Sequence, residues 1–162
     1  LCAPMIERAR AKAHRRGASV AFAAADALAL PFASASFDAA SIAFGIRNVD
    51  DPVRGLREMA RVVRPGGRVV VLEFGQPSGW AFGPLFRLYS RWVIPAVGGA
   101  VSGNRAAYDY LYRTSAVFPS GDRFLALMDQ SRAFAERRAH PLTFGTAYVY
   151  VGVVAKFEQD RA

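Results

Sequence analysis

Four polar side chains stand where an α/β chain does chemistry, each just past an apolar run. Asp26 opens Asp26-Ala27-Leu28-Ala29-Leu30-Pro31-Phe32, Arg47 and Asn48 follow Phe44-Gly45-Ile46, and Glu73 closes a third run in Leu72-Glu73-Phe74. A carboxylate only accepts hydrogen bonds, so Asp26 suits a ligand edge that only donates, such as an exocyclic amine. A guanidinium beside an oxygen lowers that oxygen's pKa, and the Asn48 amide can hold the same oxygen or a bridging water. Each has a structural alternative. Asp26 can cap its own loop, Arg47 can pair with Asp50 or Asp51, and Asn48 can cap the next helix. Glu73 resembles a general base, but a structural hydrogen bond to a neighbouring loop or helix end explains it equally well, so it is not assigned to catalysis.

The elements that must position these groups are clearest between Phe37 and Pro77. Ala39 to Phe44 is apolar and reads as a buried parallel strand. Asp50, Asp51 and Pro52 supply a helix start. Val53, Leu56, Met59, Ala60 and Val63 then recur at helical spacing, with Arg54, Arg57, Glu58 and Arg61 turned to water. Pro65-Gly66-Gly67 ends the helix, and Val69 to Leu72 forms a second, central strand. Upstream, Ile6, Ala9 and Ala13 mark a helix stopped at Arg15-Arg16-Gly17, and Ser19 to Ala24 reads as a strand. Such open sheets bind ligands beyond the carboxyl ends of their strands, where the four polar residues lie.

Downstream, Asn104 starts a helix through Tyr108, Leu111, Tyr112 and Ser115 that stops near Phe118-Pro119. Ser120 caps another carrying Phe124, Leu125, Leu127 and Met128. Leu142 to Ala155, broken at Gly145 and Gly152, reads as two strands of an antiparallel pair. From Gly79 to Gly103 aromatics mix with prolines and glycines, which fits a lid core or an apolar channel. Arg87, Arg91, Pro84 and Pro95 make that region too polar and broken to span a bilayer.

Composition sets limits. The 162 residues, 52% hydrophobic, can bury one core. One cysteine, Cys2, excludes a disulfide framework and fits a reducing cytoplasm. Cys2, His14 and His140 have no metal-ligand spacing, so no metal is expected. The 21 basic and 13 acidic residues give a net charge of +8. Solvated helix faces account for it, and attraction to an anionic membrane surface is the functional alternative. No nucleic-acid module is present, and the arginines are spread rather than clustered.

The short motif Pro65-Gly66-Gly67 before an apolar strand, with FGIRN at 44–48, LEFGQP at 72–77, YDYLYRTSAVFP at 108–119 and LTFGTAYVYVG at 142–152, resembles the UbiE/MenG/Coq5 family of quinone-biosynthesis C-methyltransferases. The resemblance implies a class I S-adenosylmethionine-dependent methyltransferase fold: α/β, Rossmann-like, a parallel sheet with a terminal antiparallel hairpin, its first strands missing here. It implies one partial domain over residues 1–162 with an inserted helical lid at 79–119. It also implies S-adenosylmethionine as cofactor, with Asp26 on the adenine amine, the Ala27 amide on a ring nitrogen and Ala43 near the cofactor, where relatives often carry serine. Arg47 and Asn48 become the catalytic pair that holds the oxygen of a polyprenyl quinol. The chain departs from the family at Ser131-Arg132-Ala133-Phe134, where relatives have an alanine-glycine-phenylalanine turn.

The expected function is C-methylation of a demethylated polyprenyl quinol, by a cytoplasmic enzyme that contacts the inner face of the membrane; homo-oligomerisation is left open. The alternative is a catalytically silent scaffold subunit among quinone-biosynthesis enzymes. Leu1 to Met5 resembles the family segment just after the acidic residue that binds the ribose. The chain is therefore expected to be an amino-terminally truncated fragment, inactive on its own.

Overall fold

The computed structural model describes residues 3–77, 83, 88, 92 and 105–156. Most of the 79–104 segment, and with it most of the expected lid, lies outside the described residues.

Among the described residues, helix α1 (Ala3–Arg15) is followed by strand β1 (Phe37–Ala43), helix α2 (Pro52–Val62) and strand β2 (Val63–Phe74). Helices α3 (Arg105–Val117) and α4 (Asp122–Ser131) then lead to strands β3 (Phe134–Leu142) and β4 (Ala147–Val154). The strands form one mixed sheet in the order β1-β2-β4-β3. β1 and β2 are parallel, while β4 is antiparallel to both β2 and β3. This is the α/β arrangement with a closing antiparallel hairpin that the sequence predicts.

The crossover helix α2 follows local chemistry. Asp51 is its N-cap, its carboxylate accepting from the Arg54 amide at 2.9 Å, and Pro52 occupies the first turn where its missing donor is harmless. Leu56, Met59, Ala60 and Val62 are buried with Val69 and Val71 of β2, and Phe124 and Met128 of α4 are buried with Tyr150 and Val154 of β4. Burying side chains of this size stabilises by roughly 1.5–3 kcal/mol each. The Phe124 and Tyr150 rings lie 4.1 Å apart, and the Tyr150 hydroxyl accepts from the Gly121 amide at 2.7 Å. Core and hydrogen bond together fix α4 on the hairpin.

Several expectations are corrected. Ser19 to Ala24 forms no strand, because no described strand lies beside it to complete a ladder. β1 is largely exposed rather than buried, since among the described strands it pairs only with β2. α2 ends at Val62, before the Pro-Gly-Gly turn, because Pro65 disfavours helical geometry at Arg64. Val63 already pairs with Phe37, residues 64–67 loop out, and pairing resumes at Arg68 with Ala39. A Cβ at Gly67 would sit 2.5 Å from the Asp38 carbonyl oxygen, so that return requires glycine.

The first strand of the hairpin is Phe134–Leu142, not part of Leu142–Ala155, and Gly152 does not interrupt β4. Its Glu136, Arg137, Arg138, His140 and Pro141 conceal a strand from any hydrophobic pattern. They suit the sheet edge that β3 occupies, where charge and proline discourage further pairing. Ser120 does not cap α4. Gly121 holds that position at φ +59° without a side-chain cap, and the Ser120 hydroxyl accepts from the Gln76 amide at 3.3 Å. At the other end Arg132 adopts φ +53°, the left-handed C-cap geometry that favours glycine.

Candidate functional site

The loop bearing Asp26 is held by α2. Glu58 Oε1 accepts from the Leu30 amide at 2.8 Å, and Arg61 donates to the carbonyls of Leu30 at 3.0 Å and Phe32 at 2.9 Å. Arg61 also binds Glu58 at 2.7 Å, and that hydrogen bond holds the Glu58 carboxyl below its usual range. The helix face expected to meet only water thus anchors the loop; Arg57 similarly reaches the Ser131 carbonyl at 3.3 Å. Within the loop, Asp26 Oδ1 accepts from the Leu28 amide at 2.9 Å, and Asp26 and Ala29 form a bridge. The capping alternative for Asp26 is therefore real. It occupies one carboxylate oxygen.

A cleft of about 440 Å³ opens between this loop and the segment after β1, and its wall includes Asp26, Ala27, Asn48 and Asp50. Residues remote in sequence meet there because α2 holds the Asp26 loop through Glu58 and Arg61, beside the turn that follows β1. Asn48 is exposed and its Oδ1 accepts from the Tyr110 hydroxyl of α3 at 2.9 Å. It does not cap α2, a task that Asp51 performs. Ala43, exposed at the end of β1 opposite Leu72, does not line the cleft.

Arg47 points elsewhere. The short 3-10 turn Ile46–Asn48 buries Ile46 and directs Arg47 inward. There Nη1 donates to Glu73 Oε1 at 2.7 Å and to the Phe44 carbonyl at 2.7 Å. The Arg47 and Glu73 side chains are 8% and 1% exposed. The guanidinium carbon lies 5.2 Å from the centre of the Phe74 ring, which packs on Phe44 at 4.4 Å. Glu73 Oε1 also accepts from the Phe74 amide at 2.9 Å. Among the described residues, Arg47 Nε and Glu73 Oε2 are buried with no hydrogen-bond partner. Arg47 therefore pairs with neither Asp50 nor Asp51. Glu73 does bond a neighbouring turn, but its partner there is the Arg47 guanidinium. Neither Glu73 nor Tyr110 was assigned to the site from sequence. The signals were the acid at a strand end in LEF and the tyrosine inside YDYLYRTSAVFP.

Comparison with known proteins gives this geometry a context. Residues 1–154 match the model of the ubiE/COQ5 methyltransferase family. A ubiquinone/menaquinone biosynthesis C-methyltransferase UbiE of Bdellovibrio bacteriovorus is 50% identical over 153 residues, 94% of this chain and 65% of that protein. Demethylmenaquinone methyltransferases of Thermus thermophilus and Deinococcus radiodurans are 48% and 47% identical, over 92% and 91% of this chain and 67% and 61% of their own lengths. The chain thus spans about two thirds of the length of these relatives. Among solved structures, a SAM-dependent methyltransferase of Methanosarcina mazei superposes with a TM-score of 0.61 at 20% identity, covering 96% of this chain and 80% of that one. One from Thermotoga maritima gives 0.59 at 23%, covering 91% and 69%. At these identities the superpositions speak for the fold alone.

Proposed function

The chain belongs to the ubiE/COQ5 methyltransferase family, and from that premise we propose that its protein transfers a methyl group from S-adenosylmethionine to a ring carbon of a demethylated polyprenyl quinol. The observation that carries this reading is the cleft where Asp26 and Ala27 face Asn48. The cofactor supplies an electrophilic methyl group on a sulfonium.

The residues present fit that group. Asp26 keeps one carboxylate oxygen free of the Leu28 amide, able to accept from the adenine amine, which only donates. Ala27 would offer its backbone amide to a ring nitrogen, and Ala43 a backbone contact nearby. Asn48 would hold the quinol oxygen, directly or through water, with Tyr110 fixing its amide. Arg47 would favour the ionised oxygen as a hydrogen-bond donor whose charge Glu73 balances, raising electron density at the ring carbon. The new carbon–carbon bond would form as the methyl–sulfur bond breaks, and the proton on that carbon would pass to water, which restores the aromatic ring. Orientation and charge stabilisation suffice for such a step.

Helix α3 would supply part of a lid over the cleft through Tyr110. The protein would meet its lipid-tailed acceptor at a membrane surface; among the described residues no helix is long and apolar enough to cross one. Residues 1–162 would carry the acceptor-side half of the site and bind the cofactor weakly by themselves, turning over slowly or not at all. The test is methyl transfer by the full-length protein to a demethylmenaquinol or a ubiquinone-pathway benzoquinol. Cofactor binding without transfer to either would favour a silent scaffold instead.

A further inference from the structure

We propose that Glu73 is a positioning residue that holds Arg47 as a charge-neutral donor, so that a guanidinium can stand near a cationic sulfonium without repelling it. The inference rests on the methyltransferase reading above. It names a job for an acid buried at the sheet end.

Arg47 and Glu73 come from the ends of neighbouring parallel strands. Ala43 of β1 is in register with Leu72 of β2, so the residues that follow each are brought side by side. Glu73 Oε1 is fixed by the Phe74 amide at 2.9 Å and by Arg47 Nη1 at 2.7 Å. The Phe44 carbonyl takes the same Nη1, and the Phe74 ring lies against the guanidinium. These contacts set the arginine's position and oppose its charge at contact distance. Among the described residues, Arg47 Nε is buried with no acceptor. The pair therefore offers a donor with little net field.

That matters beside a sulfonium. A lone guanidinium within about 8–10 Å of a second cation, at an effective dielectric near 20, weakens that cation's binding on the order of tenfold or more. A carboxylate bonded to the guanidinium cancels most of this effect. A neutral ligand of the same shape feels no such difference. S-adenosylhomocysteine, which lacks the methyl group and the positive sulfur, is that ligand.

Titration calorimetry on the full-length protein at pH 8, with S-adenosylmethionine and S-adenosylhomocysteine in turn, tests the proposal through the ratio of their dissociation constants. Glu73→Gln should raise the S-adenosylmethionine constant about tenfold relative to that for S-adenosylhomocysteine. The double variant Arg47→Gln/Glu73→Gln should return the ratio to within about twofold of the unsubstituted protein. Arg47→Gln alone should shift the ratio the other way, which keeps the test decisive if Glu73→Gln does not fold. A purely structural role for Glu73 weakens both ligands equally. An unmoved ratio in Glu73→Gln, or in Arg47→Gln, overturns the proposal. Failure of the unsubstituted protein to bind either ligand overturns the cofactor assignment, and this inference with it.

Discussion

The Glu73 carboxylate at the end of β2 lies 2.7 Å from Nη1 of Arg47, 26 residues earlier, and both side chains are nearly sealed from solvent. The parallel register of β1 and β2 creates the contact, and the turn after β1 completes it: Phe44 at φ +53° places its carbonyl on the same guanidinium nitrogen. Asn48, next in the chain, faces the opposite way into the cleft with Asp26. One turn thus sends an amide toward the cleft and a compensated charge behind it.

Arg47→Ala in the full-length protein should lower kcat by about a hundredfold or more, the scale of losing one positioned hydrogen-bond donor at a developing oxyanion. Cofactor binding should not weaken. The variant should also lose roughly 3 kcal/mol of stability, because Glu73 is left buried and unpaired. Steady-state kinetics, calorimetry and denaturant melts check the three parts. Loss of cofactor binding would remove Arg47 from its proposed role.

Asp26→Ala should raise the dissociation constant for S-adenosylmethionine about tenfold or more, the weight of a hydrogen bond to a charged group. Asp26 is exposed, and its Leu28 contact is a local cap, so stability should fall by less than about 1 kcal/mol. An unchanged dissociation constant would take Asp26 out of the site.

Arg132→Gly should stabilise the domain by roughly 0.5–1 kcal/mol, because the left-handed C-cap of α4 at φ +53° strains any residue with a Cβ. A chemical denaturation midpoint that falls, with the slope unchanged, would contradict this.

Burial pushes the Tyr150 hydroxyl up to about 12 from its ordinary 10.0. The folded pKa lies above the unfolded one. Tyr150 therefore contributes fully below about pH 10, and its contribution, on the order of 2 kcal/mol, is lost as pH rises through about 12. Thermal melts should show an alkaline loss in that window that Tyr150→Phe lacks. Tyr150→Phe should itself be less stable near neutrality by about 1–3 kcal/mol, because the Gly121 amide loses its acceptor.

The sequence was most legible where periodicity and punctuation agree. α2 carries a helical apolar stripe, an Asp51-Pro52 start and a proline stop, and it forms within a few residues of expectation. β3 was illegible because an edge strand needs charge more than a hydrophobic face, and Arg137 and Arg138 look like a loop. Ser19 to Ala24 failed for the opposite reason: its composition suits a strand, but a strand needs a neighbour. Within the site, Asp26 lies in a loop after a segment that forms no strand, whereas Asn48 could be placed past a strand end from local pattern. The contacts of Arg47 with Glu73, of Asn48 with Tyr110, and of Glu58 and Arg61 with the Asp26 loop could not, since each joins segments that only the tertiary fold brings together.

The most direct measurement is transfer of an isotopically labelled methyl group from S-adenosylmethionine to a demethylmenaquinol by the full-length protein, followed by mass spectrometry of the quinone. The account predicts label on a ring carbon of the product, and its loss in Asn48→Ala with cofactor binding intact. Tight cofactor binding with no label reaching either a naphthoquinol or a benzoquinol acceptor would contradict it.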